Sequence, residues 1–62
     1  MKSNLREILK KKKISQKDLA DKIGLTESAV SRFISEDRIP TGANMLKIAN
    51  VLNVKVEDLY KL

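Results

Sequence analysis

Glu27, Ser28, Ser31 and Arg32 recur at a spacing that gathers them on one side of a helix, with Ser35 beyond them. Their chemistry is hydrogen bonding rather than bond making. Arginine carries a planar fork of donors that can grip guanine O6 and N7 together, worth about 1–3 kcal/mol of discrimination. Serine can bond to several bases and specifies little. Glutamate can accept from a cytosine amino group, or simply suit the positive end of a helix. A short polar face with one arginine suits the major groove, about 12 Å wide, which long apolar side chains would not. Catalysis has no comparable candidates. The chain holds no His and no Cys, no nucleophile beside a base and no glycine-rich phosphate loop. Cys/His zinc sites and disulfides are thereby excluded; neither an enzyme, a cofactor nor a metal is expected.

Those polar residues need a helix with an apolar back. Val30 and Phe33 supply it, with Ala29 beside them, in a helix expected at about 27–35 capped by Thr26. A helix at about 16–23 precedes it, with Ser15 as N-cap and Leu19, Ala20 and Ile23 inward. Gly24 ends it where a left-handed residue is wanted. Ile14 with Leu19, and Leu25 with Val30, are spaced as hydrophobic staples. Only Gly24-Leu25-Thr26 joins the two helices, so they must turn sharply and touch. A first helix at about 4–12 carries Leu5, Ile8 and Leu9; Asn4 and Glu7 are spaced as a capping box. A fourth, about 42–52, turns Met45, Leu46, Ile48, Ala49 and Leu52 inward and ends on Asn53. A fifth, about 56–61, adds Val56 and Leu59. No segment alternates as a strand. The fold class is therefore all-α, a compact bundle of five short helices in one domain over 1–62.

The 62 residues carry a net charge of +5, which favours a polyanionic partner. Residues 1–17 hold seven positive charges and one negative, the rest six and seven. Residues 26–37 set Glu27, Glu36 and Asp37 against Arg32 alone. Binding to DNA would then draw on the basic N-terminal part or on two copies. The Lys10–Lys13 run also suits the negative end of the first helix and solubility. No apolar run approaches the roughly 20 residues that span a bilayer, and the start is no signal peptide. A cytoplasmic protein with no membrane or small-molecule partner is expected.

The stretch from Ser15 to Phe33, SQKDLADKIGLTESAVSRF, resembles the helix-turn-helix of the Cro and lambda-repressor-like (XRE) family. The likeness continues through Pro40, Leu46-Lys47-Ile48-Ala49 and Val54 to Leu59. It implies a small bacterial or phage transcription regulator, nucleoid-associated, that binds double-stranded DNA at a near-palindromic operator as a homodimer. By matching position it places Glu27, Ser28 and Arg32 at base edges, with Ser31 nearby as a further base-contact candidate. Gln16 and Thr26 would meet the DNA backbone. Lys17 and Arg38, with the amides of Gly42, Ala43 and Asn44, are the further phosphate candidates. Val56, Leu59, Tyr60 and Leu62 are the candidate dimer surface; Val56 and Leu59 suit the core better, and Tyr60 and Leu62 are the pair expected to be exposed. The alternative is a module of the same fold that binds a protein, as an antitoxin or antirepressor partner.

Three departures carry expectations. Leu9 and Ile34 stand where the family commonly pairs arginine with glutamate, which suggests an apolar contact in place of an ion pair. Lys13 stands where glycine is common, so the turn after the first helix should be strained. Gly42 stands where a larger residue is common, so the fourth helix should start late or fray; Lys55 replaces the usual small cap of the last helix.

Overall fold

Apolar residues recurring every three or four positions demand helices, and five are present in the computed structural model, which describes residues 2–61. They are α1 (Leu5–Lys12), α2 (Gln16–Ile23), α3 (Glu27–Ser35), α4 (Gly42–Leu52) and α5 (Val56–Leu59). Two short strands, β1 (Lys2–Ser3) and β2 (Tyr60–Lys61), bracket them.

Local chemistry sets the helix ends. Ser15, Thr26 and Thr41 each accept a hydrogen bond from the backbone N–H three residues on, at 3.0, 3.1 and 3.2 Å. Each bond satisfies a donor that the first helical turn leaves free. Thr41 thereby starts α4 at Gly42 itself, and the late start expected from that glycine does not occur. Lys13, Gly24 and Asn53 take the left-handed conformation. Behind them Ile14 N–H returns to Leu9 O, Leu25 N–H to Ala20 O and Val54 N–H to Ala49 O, each at 3.0 Å. This six-residue closure commonly brings an apolar contact with it. Here Ile14, Leu25 and Val54 all pack on the core. Ile14 and Leu25 thus finish one helix and pack on the cluster that holds Leu19 and Val30 of the next.

The core joins Leu5 and Leu9 of α1, Leu19, Ala20 and Ile23 of α2, Val30 and Phe33 of α3, Ile48, Ala49 and Leu52 of α4, and Leu59 of α5. Ile34 packs against the cluster that contains Leu9, so both members of the replaced ion pair sit on apolar surroundings. The most extensive helix contact is α2 on α3. Leu46, expected inward, is 58% exposed. The buried stripe of α4 is Ile48, Ala49 and Leu52. Position 46 falls off it because two residues are more than half a turn.

At the chain ends the structure departs further from expectation. The last helix stops at Leu59 rather than about 61. Tyr60 and Lys61 instead pair antiparallel with Ser3 and Lys2. A helix of four residues has little stability of its own, while the extended ends satisfy each other's backbone groups. Asn4 N–H donates to Leu59 O at 2.8 Å and its side-chain amide to Asp58 O at 3.3 Å. Asn4 therefore does not cap α1 with its side chain; Ser3 Oγ accepts from Leu5 N–H instead, at 3.2 Å. Lys55, at the N-cap of α5, offers no side-chain acceptor, and its own N–H is held by Asp58 Oδ2 at 3.2 Å.

Candidate nucleic-acid interface

The two faces of α3 are separated by burial. Val30 is 0% and Phe33 1% exposed. Glu27, Ser28, Ser31 and Arg32 all lie in solvent, uncovered by the protein's own chain. The inward pair anchors the helix through apolar burial, about 1.5–3 kcal/mol for each large side chain. The outward four remain free to meet a ligand. Thr26, at the α3 N-cap, holds Ala29 N–H with its oxygen, yet its hydroxyl hydrogen is left to donate.

Gln16 is the first residue of α2 and Lys17 the second, both exposed. Their N–H groups belong to a helical first turn, the positive end of the macrodipole. Arg38, in the loop between α3 and α4, is exposed, and its N–H returns to Arg32 O at 3.3 Å. At the start of α4 the three candidate amides are not equivalent. Asn44 N–H is spent on the Thr41 cap, which corrects the expectation that it is free for phosphate. Gly42 and Ala43 are exposed in the same turn.

The expected dimer residues do not form one outward patch. Leu59 is 0% exposed and belongs to the core, the better suited of its two expected places, so it leaves the candidate dimer surface. Val56 is half-buried against the same core. Tyr60, expected to be exposed, is also half-buried, and its Oη is wholly covered without a hydrogen-bond partner. Burial raises the phenol pKa above its ordinary 10.0; the Ser3 hydroxyl, close by but short of a full hydrogen bond, offsets part of this and the charge of Glu36 adds to it. Leu62 lies outside the described residues.

The Lys10–Lys13 run is divided. Lys11 and Lys12 line a groove of about 650 Å³ with Asn4, Glu7, Ile8, Val54 and Asp58. That groove includes no residue of α2 or α3. Two ammoniums against two carboxylates there leave little net field, so it is not an extension of the α3 face. Among the described residues no His, Cys, Asp and Glu group could hold a metal ion, and no helix is long and apolar enough to cross a membrane.

Sequence reasoning missed Ser3 and Glu36. Ser3 N–H points at Glu36 Oε1 at 3.4 Å, across 33 positions of sequence. Two-residue strands are too short to show alternation, so no sequence signal was available for them.

Comparison with known proteins agrees with this architecture. The family model described as helix-turn-helix matches residues 5–59. An uncharacterized HTH-type transcriptional regulator, YqaE, of Bacillus subtilis (strain 168) is 34% identical over 58 residues, which are 94% of this chain. Those residues are 50% of the relative, so the chain spans about half the length of the curated protein it matches.

Proposed function

The chain belongs to the helix-turn-helix family, and from that premise we propose that it binds double-stranded DNA sequence-specifically, as a small Cro-like or repressor-like transcription regulator. One observation carries the reading: α3 is wedged into the bundle by Val30 and Phe33 while Glu27, Ser28, Ser31 and Arg32 stay in solvent. Insertion of this face into the major groove puts Arg32 against a guanine and Ser28 and Ser31 against neighbouring edges. Glu27 faces a cytosine amino group or acts through the helix dipole. Gln16, Lys17, Thr26 and Arg38, with the amides of Gly42 and Ala43, clamp phosphates on either side and set the register.

The molecule measures 27 × 22 × 20 Å. Successive half-sites on one face of DNA are about 34–36 Å apart. One copy therefore reaches one half-site, and a homodimer on a near-palindromic operator supplies the second.

Selection from a random duplex library tests the reading. A recovered motif bound steeply less tightly as salt rises is the expected result. Indifference to every duplex at low salt would overturn it and favour a protein partner for the same face.

A further inference from the structure

We propose that the paired chain ends and Glu36 form a positioning clamp for α3, in which Ser3, fixed opposite Tyr60, holds the residue that ends the helix and so sets how Arg32, one turn earlier, is presented. This rests on the reading of α3 as the helix that meets DNA.

The end of α3 is unlike those of α1, α2 and α4. Those three close with a six-residue backbone bond behind the left-handed residue. Behind Glu36, at φ 70°, the returning bond comes instead from Arg38 N–H to Arg32 O, one residue later and at 3.3 Å. A non-glycine residue in this conformation is strained, and at Lys13 and Asn53 the local backbone closure holds it. Glu36 lacks that closure and is held by a tertiary bond instead: its carboxylate receives Ser3 N–H at 3.4 Å.

Ser3 is itself fixed. It lies opposite Tyr60 in the strand register, and its Oγ accepts from Leu5 N–H. The Tyr60 hydroxyl is completely covered and has no full hydrogen bond. Ser3 thus pairs with Tyr60 and binds Glu36, so residues from the chain start, the chain end and the close of α3 meet at one point. β1 also contacts α3 directly. The Arg32 carbonyl receives Arg38 N–H, and Ser35 Oγ lies 3.2 Å from it. A shift of Glu36 therefore reaches the peptide that carries the arginine.

Comparison of Glu36→Gly with Glu36→Gln tests the clamp. Both remove one negative charge, so both gain equally in general attraction to DNA. Only Gln keeps an oxygen for Ser3 N–H; only Gly relieves the left-handed strain. Glu36→Gly should resist urea better than Glu36→Gln, yet prefer the selected duplex over a scrambled one about tenfold less, comparable to one mismatched base pair. Its amides at 36–38 should also exchange faster with solvent. Equal discrimination by the two variants would overturn the clamp. Should the wild-type protein bind no duplex at low salt, the DNA reading falls separately; equal amide protection in the two variants then overturns the clamp without DNA.

Discussion

Arg32 and Phe33 are neighbours in sequence with opposite surroundings, one in solvent and one 1% exposed. The proposed base contact is thus supported by a residue that touches no base. If Arg32 grips a guanine, Arg32→Ala should relax preference at one base pair per half-site, read by repeating the duplex selection. Its cost to folding should stay within about 0.5 kcal/mol, as for other exposed positions. Gln16→Ala should weaken binding about equally across sequences, because a phosphate contact positions without specifying. Uniform loss from Arg32→Ala would place that arginine on the backbone instead. Lys13 offers a test at the same scale. It takes φ 58° with a side chain exposed to solvent. Lys13→Gly should raise stability by about 1 kcal/mol through release of left-handed strain, seen as a higher urea midpoint.

Among elements, α2 and α3 show how much local physics suffices. Ser15, Gly24 and Thr26 are visible in the residues, and each does in the structure what its chemistry requires: cap, left-handed end, cap. The strand pair was not visible. Its Tyr60 makes an alkaline prediction. The folded phenol titrates above 10.0, so between the unfolded and folded values the unfolded chain has lost the proton and the folded one keeps it. Stability is then complete below about pH 10 and falls as pH rises through that window. Tyr60→Phe should flatten this alkaline loss in denaturant titrations. It should leave neutral-pH stability nearly unchanged, since the covered hydroxyl makes no full hydrogen bond. A steeper alkaline loss would show that the phenol is not the group responsible.

For the whole molecule, charge and size set the binding behaviour. A net +5 is concentrated in the first 17 residues, yet Lys11 and Lys12 lie in the groove with Glu7 and Asp58. If Lys17 and Arg38 are the cationic phosphate clamps, a dimer neutralises four phosphates. Log affinity against log salt should then slope at about −4. A slope near −7 or beyond would bring the Lys10–Lys13 run onto the DNA as well. The acidic balance around α3 is compatible with a modest slope: it trades general attraction for selectivity at the bases.

The residues alone determined that there are five helices, the caps at Ser15 and Thr26, the left-handed ends at Gly24 and Asn53, the two-sided α3 and the family they resemble. Those features depend on neighbours within about one turn and on apolar periodicity, and both are written locally. Only the tertiary structure decided the rest. It turned Leu46 outward, half-buried Tyr60, consumed the Asn44 amide and exchanged the last helical turn for a strand against residues 2 and 3. Each of these depends on which element arrives opposite, and two-residue strands from opposite ends of a chain carry no periodicity to announce their meeting. Glu36 looks like an ordinary loop acid until Ser3 is brought to it.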